Sequence, residues 1–202
     1  MGSYSLLRVT PPTARPLTVE QAKKACDLDE TSTAHDLEID ALIEAAVEQA
    51  EQSTDRQLCE AEYELRLRAF PLGCRPIRLP KPPLLSVEAI KYLDADGDEQ
   101  TLAPAAYRVS QGREPAQIEL AFGQFWPVTY PVDEAVTIEY TAGYGDAEAV
   151  PKLLRQGLTL LVRRWFLEPD AKDELPPAVR SIFQAHTAGD EFTEYEPHDQ
   201  RL

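Results

Sequence analysis

The chain has 202 residues, of which 43% are hydrophobic and 27% charged, and its 35 acids against 20 bases give a formal net charge of −15. This length allows one domain with a substantial core, and no stretch approaches the roughly 18 consecutive apolar residues that cross a bilayer. Tight DNA binding depends on lysines and arginines that displace condensed counterions, so the charge excludes a protein that grips DNA.

The acidic residues are unevenly distributed. Residues 17–60 hold twelve acids and three bases, and residues 168–202 hold nine acids and three bases, whereas residues 61–167 are nearly neutral. Solvated helix faces and a polar tail would explain this pattern, and so would a surface that must repel a polyanion. The three cysteines cannot all pair with one another, which is typical of reduced thiols in the cytoplasm.

The first helices are predicted from capping signals and periodicity. Prolines at positions 11, 12 and 16 keep the first sixteen residues extended. Thr18 and Gln21 have capping-box spacing and predict a helix from Thr18 to about Leu28. A second helix is predicted from about residue 34 to 57, because one apolar stripe recurs with a period of 3.6. Its other face is acidic and carries Glu38, Asp40, Glu44, Glu48, Glu51 and Asp55.

The middle of the chain changes to the two-residue period of half-buried strands. An antiparallel β region of five or six strands is therefore predicted over 61–144, and the prolines of 76–83 confine that segment to a sheet edge. The candidate strands lie at 63–67, 86–94, 101–102, 107–110, 117–121 and 136–144, and 76–83 is a short extended segment.

Helical periodicity returns towards the C-terminus. Helices are predicted from Val150 and over 177–186, because Pro151 and Pro177 suit a first turn. The last sixteen residues lack a core-forming period and are expected to order only on a partner, with Phe192 and Tyr195 as anchors.

The fold class predicted is α+β: a small α-helical bundle, built from the N- and C-terminal helices, with an inserted antiparallel β region. The boundaries expected are an extended arm at 1–16, helices at 17–60, the β region at 61–148, helices at 149–186 and a flexible acidic tail at 187–202.

No motif in the sequence indicates catalysis. The histidines and cysteines lack zinc-site spacing, and no phosphate-binding loop or nucleophile motif occurs. The run from Asp94 to Glu99 has its glycine at the fourth position, whereas a calcium loop needs it at the sixth. We therefore expect a hairpin turn there, and no catalytic residue, metal or cofactor in the protein.

An aromatic segment at 121–131 admits two interpretations. Phe125, Trp126 and Tyr130 could form an exposed contact loop for a neighbouring copy or a neck protein. They could equally pack against the β region, which is favoured because aromatic side chains are mostly core material.

The order of segments resembles that of the head–tail connector (adaptor) proteins of tailed bacteriophages over roughly residues 16–185. The segments that carry the resemblance are PLTVEQAKKAC (16–26), DLEIDALIEAAVEQAEQSTDRQL (36–58), YELRL (63–67), IRLPKPPLLSVEAIKYLDADGDEQTL (77–102), VTIEYTAGYG (136–145), AVPKLLRQGLTLLV (149–162) and LPPAVRSIF (175–183).

This resemblance implies a structural role in the virion neck, in a protein made in the host cytoplasm. Copies of the chain would form a ring between the portal and a neck, stopper or tail-completion protein. Twelve copies are expected, because that number matches the twelvefold symmetry of the portal. DNA would pass through without specific binding, and no membrane would be involved. C-terminal segments of such proteins reach towards the portal, which nominates Phe183, Phe192 and Tyr195 as portal contacts.

The charge pattern adds a hypothesis about the channel, because an acidic wall repels DNA phosphates. The acidic face of the second helix would line it, through Glu38, Glu44, Glu48, Glu51 and Asp55. Two alternatives remain open. One is an acidic DNA mimic that inhibits a DNA-handling enzyme, and the other is a hydrolase with two buried carboxylates in the β region.

Overall fold

The structure is a computed structural model, and it describes residues 4–171 and 174–189. The chain divides into two compact units. Among the described residues, the β unit contains 4–11, 60–143 and 189, and the helical unit contains 12–59, 144–171 and 174–188. The α+β class is confirmed, but the sheets form a larger part of the protein than a β region inserted into a helical bundle would.

The helical unit contains four α-helices, in the order predicted. They are α1 (Val19–Ala25), α2 (Asp36–Thr54), α3 (Lys152–Leu167) and α4 (Pro177–Ala185). The capping box that begins α1 is formed, since the Gln21 amide donates to Thr18 Oγ1 at 3.2 Å and the Thr18 amide donates to Gln21 Oε1 at 3.1 Å.

Helices α1 and α2 are shorter than predicted because the backbone turns left-handed directly after them. Asp27, just past the end of α1, has φ +58°, and Asp55, which caps α2, has φ +50°. These positive φ angles end a right-handed helix whatever the side-chain pattern beyond them.

One core lies inside the helical unit. The predicted stripe of α2 is buried and packs with apolar residues of α3 and α4. The buried members on these three helices are Ile39, Leu42, Ile43, Ala46, Ala50, Leu154, Leu158, Leu161, Val162, Trp165, Val179 and Phe183.

A buried lysine joins α1 to the start of α2. The Lys23 side chain is only 4% exposed, and its Nζ lies 2.7 Å from Asp36 Oδ1. The same ammonium donates to the Glu30 carbonyl at 2.9 Å. A buried charge is tolerated only where such partners replace water.

The described part of the β unit contains eight antiparallel strands. They are β1 (Tyr4–Thr10), β2 (Ala61–Leu67), β3 (Ile77–Arg78), β4 (Leu84–Leu93), β5 (Glu99–Thr101), β6 (Tyr107–Ser110), β7 (Gln117–Leu120) and β8 (Val136–Ala142). Five of them form a sheet in the order β1-β2-β8-β4-β5, and three form a second sheet in the order β3-β7-β6. The proline-flanked strand β3 is at an edge, as its prolines predicted.

The five-stranded sheet buries one face. Alternate residues of β2 are buried, and Leu65 is aligned with Ile138 of β8, which is aligned in turn with Ile90 of β4. Tyr63 and Tyr140 stack with ring centroids 5.6 Å apart. This core is separate from that of the helical unit.

Strand β1 was not predicted as a strand. It lies inside the expected extended arm of residues 1–16, and it pairs with β2 at the edge of the sheet, with Leu6 opposite Leu65. Because no other residue of β1 is even half-buried, the strand has no apolar alternation by which its sequence could be recognised.

Among the described residues, no helix has both the length and the apolar character needed to cross a membrane. Two cysteines, Cys26 and Cys59, are buried, and Cys74 is exposed. Burial raises the pKa of both buried thiols, that of Cys59 to about 11.

Candidate functional site

The acidic residues of α2 form a stripe with one outlier. Glu44, Glu48, Glu51 and Asp55 follow one another at i, i+4, i+7 and i+11, which places them on one side of the helix. Glu38 precedes Glu44 by six residues, which is not a whole number of turns, so it lies off this stripe. We call the four aligned residues the acidic stripe.

Several acids of this region already have partners within the helical unit. Arg15 forms ion pairs with Asp40 and, at 2.8 Å, with Glu44. Glu51 is half-buried and accepts hydrogen bonds from Gln57 Nε2 at 2.6 Å and from the Leu58 amide at 3.1 Å. Glu51 therefore closes the C-terminal end of α2 through these two bonds.

Two of the proposed channel acids are exposed and only weakly engaged. Glu48 accepts from Gln52 Nε2 at 3.3 Å, and Glu38 lies 3.1 Å from the ring of His35. Surface contacts of this kind contribute little to stability, so their negative charge remains available to solvent. The sequence interpretation missed Arg15, whose charge offsets part of the acidic face.

The aromatic segment contains both packed and exposed side chains. Trp126 is half-buried, stacks on Phe70 with ring centroids 4.9 Å apart, and donates from Nε1 to the Arg75 carbonyl at 3.2 Å. Tyr130 is exposed at its ring, but its amide donates to the Leu93 carbonyl at 3.0 Å. Trp126 is thus an anchor that holds the segment on the β unit.

Other side chains of this segment project into solvent. Phe122 is fully exposed, Phe125 is 80% exposed and Val128 is 67% exposed. Phe122 lies in a tight turn, in which the Gln124 amide donates to the Ala121 carbonyl at 3.0 Å and Gly123 takes a left-handed φ of +75°. We call residues 121–132 the apolar loop, because none of them carries a charge.

A pocket of about 480 Å³ lies at the base of the apolar loop. Residues 68–73 form one wall, and the loop forms the other with Phe125, Trp126 and Tyr130 among its lining residues. The structure therefore brings the three predicted loop residues together. Val128 also lines the pocket, whereas Phe122, in the same aromatic segment, is fully exposed.

The portal-contact residues have different positions. Phe183 is 1% exposed, and a Cβ added at Gly157 of α3 would lie 3.1 Å from its ring. Its side chain fills the core of the helical unit and is not accessible to a partner, so Phe183 was wrongly selected as a surface contact. Phe192 and Tyr195 lie outside the described residues.

The acidic run from Asp94 to Glu99 forms a hydrogen-bonded turn. Asp94 Oδ1 accepts from the amides of Asp96 and Asp98 at 3.1 and 3.0 Å, and Asp94 Oδ2 accepts from Gln100 Nε2 at 2.9 Å. These bonds, that from Gln100 first, lower the pKa of Asp94. The run is the hairpin turn between β4 and β5, with Gly97 at φ +89°.

Neither a metal centre nor a carboxylate pair is found in the described part of the chain. No group of three or more His, Cys, Asp and Glu side chains there could hold a metal ion. No aspartate or glutamate there is buried either. The hydrolase alternative requires two buried acids in one pocket, so it has no support in these residues.

Comparisons with known proteins identify a fold. No family model matches the chain, and no curated protein matches it. Three chains of solved structures are similar over 95% of this chain. One is from the neck of an empty gene transfer agent (GTA) particle computed with C6 symmetry, with 24% identity, a TM-score of 0.76 and 100% of that chain covered.

The second is from the virion of a native GTA particle, with 25% identity, a TM-score of 0.76 and 99% of that chain covered. The third is from the neck of a native GTA particle computed with C12 symmetry, with 24% identity, a TM-score of 0.75 and 100% of that chain covered. The resemblance to head–tail connector proteins is confirmed by these matches. The expectation that the chain is not an enzyme is confirmed as well, because the neighbours are structural proteins of a virion neck.

Proposed function

We propose that this chain is a structural protein of the neck of a tailed phage or phage-like particle. Identical copies form a ring that joins the portal vertex to the tail side and lets DNA pass through. The observation that supports this most is the likeness to neck chains of GTA particles, with TM-scores of 0.75 and 0.76 over 95% of the chain. The protein acts in the virion, after synthesis in the host cytoplasm.

The ring contains twelve copies in this proposal. Necks that contain the similar chains were computed with C6 and C12 symmetry, which fits a ring of identical subunits. A ring with only rotational symmetry needs a heterologous contact, in which two different faces of the same protein meet. The helical unit, as the bundle made by the N- and C-terminal helices, forms the body of the ring.

The two ends of the ring have different partners. The segment 187–202 reaches the portal, with Phe192 and Tyr195 as its apolar anchors, and Phe183 serves only the core. The apolar loop, with Phe125, Trp126 and Tyr130, contacts a neighbouring copy or a neck, stopper or tail-completion protein. The large exposed aromatic area of that loop supports this assignment, since aromatic side chains dominate protein interfaces.

The acidic stripe, together with Glu38, lines the DNA channel in this proposal. Its negative charge repels phosphates, so DNA slides past without binding. Glu48 gives the sharpest test, because the others in the stripe also hold the helical unit together. We expect Glu48→Lys to slow DNA ejection from purified particles and Glu48→Gln to have a smaller effect. Ejection at the wild-type rate in Glu48→Lys particles would remove Glu48 from the channel wall.

Deletion of the gene from the genome that encodes the particle tests the proposed function itself. We expect electron microscopy of the lysate to show separate tails beside tailless heads, and a plasmid copy of the gene to restore joined particles. Intact, infectious particles without the gene would rule the role out. That outcome would favour the acidic DNA mimic, which should bind a DNA-handling enzyme as a small soluble protein.

A further inference from the structure

Two exposed patches of the β unit lack acidic residues in a chain whose net charge is −15. The first is the apolar loop, whose Phe122, Phe125 and Val128 side chains project into solvent. The second is strand β1, where Tyr4, Leu7 and Val9 are each between 44% and 49% exposed. Single exposed apolar residues are ordinary, but groups of them mark interaction sites.

Strand β1 is a sheet edge with few protecting side chains. Proteins protect edge strands with lysines, prolines, inward charges, bulges or short length, and in β1 the pairing with β2 is irregular between Arg8 and Thr10. The seven residues of β1 contain no proline, no lysine and no acid. Leu7 lies in the regularly paired part of β1, opposite Glu64 of β2, whereas Val9 lies in the irregularity between Arg8 and Thr10. The opposite edge of the sheet is better protected, because β5 has only three residues and carries Glu99.

The apolar loop presents its side chains on a fixed backbone. The turn at Gly123 and the stacking of Trp126 on Phe70 fix one half of it. The bond from the Tyr130 amide to Leu93 fixes the other half. A contact loop that is already ordered loses little conformational entropy when a partner covers it.

The two patches lie on different parts of one sheet. Tyr130 ties the loop to β4 through Leu93, and its ring lies 3.8 Å from the position of a Cβ at Gly97, in the turn between β4 and β5. Strand β1 is at the far edge. With neighbouring strands roughly 4.8 Å apart, β1 is roughly 14 Å from β4 and roughly 19 Å from β5. This separation applies to the Tyr130 half of the loop, since Trp126 is anchored on Phe70, three residues after the end of β2.

We propose that the apolar loop of one copy packs on strand β1 of the next copy, so that this contact repeats around the ring. The inference rests on the proposed function, because a ring of identical chains requires two unlike faces that meet. The distribution of charge favours a contact between the apolar loop and strand β1. Copies with a net charge of −15 repel one another, whereas the loop is uncharged and the only charged residue of β1 is the basic Arg8.

Cross-linking in assembled particles tests the contact. The test variant carries Leu7→Cys and Phe125→Cys in a Cys74→Ser background, which removes the exposed native thiol. Particles are treated with a short bis-maleimide and run on a denaturing gel. The matched control replaces Leu7→Cys with Leu153→Cys, since Leu153 of α3 is also about half exposed, at 55%. Each single cysteine variant is a second control.

We expect the test pair to give a ladder of dimers, trimers and higher species, and the controls to give monomer. Electron microscopy of the same particles shows whether the neck is present. Intact necks without a ladder would overturn the loop–β1 contact and leave the proposed function standing. Necks that lack this chain would overturn both.

A second variant tests the same contact if the cysteine pair prevents assembly of the particle. Phe125→Asp places an acid at the centre of the proposed contact, and Leu153→Asp is its matched control. We expect Phe125→Asp to reduce joined particles at least tenfold with an unchanged circular dichroism spectrum, and Leu153→Asp to have no such effect. Normal particle numbers with Phe125→Asp would refute the proposal.

Discussion

The role of Phe183 leads to the most quantitative prediction. Phe183 and Val179 are the two buried residues of α4, so their side chains hold this nine-residue helix on the helical unit. An aromatic side chain buries roughly 150–250 Å², which at about 25 cal/mol per Å² corresponds to about 4–6 kcal/mol as an upper estimate. Measured Phe→Ala losses in protein cores are about 3–5 kcal/mol. We therefore expect Phe183→Ala to lower the free energy of unfolding by about 3–5 kcal/mol.

Urea denaturation of the full chain, followed by far-ultraviolet circular dichroism, measures this loss. A domain commonly has about 5–15 kcal/mol of stability, so the variant should unfold at a much lower urea concentration. Leu153→Ala is the matched control, because this side chain lies on α3 but is largely exposed, and its change should stay within about 0.5 kcal/mol.

A particular combination of results would refute the reasoning. If Phe183→Ala were within about 1 kcal/mol of the wild type but failed to form joined particles, Phe183 would act at a surface. The original selection of Phe183 as a portal contact would then be right, and its burial would have to be relieved in the assembled particle.

Three further predictions concern thiols, a buried cation and a turn. We expect one thiol, Cys74, to react rapidly with a disulfide reagent in the native chain and three after denaturation, because burial keeps the other two protonated. Asp36→Ala should lower the free energy of unfolding by roughly 2–3 kcal/mol more than Lys23→Met does, as measured by urea denaturation. The reason is that Asp36→Ala leaves the buried Lys23 ammonium with one carbonyl partner. Equal losses of stability in the two variants would contradict this. The Asp94 carboxyl should titrate below its ordinary value of 3.8 in an NMR experiment, so its stabilising effect is present above that pH and lost as the pH falls.

The helices were predictable because each depends on local signals. The stripe of α2, the capping box of α1 and the prolines before α3 and α4 all act within a few residues, and all four helices occur where these signals lie. The ends of α1 and α2 were less predictable, because the left-handed backbone at Asp27 and Asp55 is not encoded by glycine.

The arrangement of the strands depends on contacts that are distant in sequence. Strand β1 pairs with β2 across more than fifty residues, and its exposure at an edge removes the alternating pattern. The three-stranded sheet is separate for a similar reason, since nothing in the segments themselves says which strands pair. Sequence periodicity therefore predicted strands but not sheets.

The candidate surfaces could also be predicted only in part from the sequence. Composition indicated that the segment 121–131 was either core or contact, but only the stacking of Trp126 on Phe70 separates the anchor from the exposed Phe122 and Phe125. The helical pattern placed Phe183 on an apolar face, which is better evidence for a core residue than for a portal contact. The acidic face of α2 could be predicted from the sequence. Its ion pair with Arg15 could not, because Arg15 lies in a different segment of the chain.

Cryo-electron microscopy of the intact particle, reconstructed at the neck, shows whether this chain is a neck component. We expect a ring of identical copies of this chain between the portal and the tail, with twelve copies around the DNA path. A neck that is complete and contains no copy of this chain would contradict it.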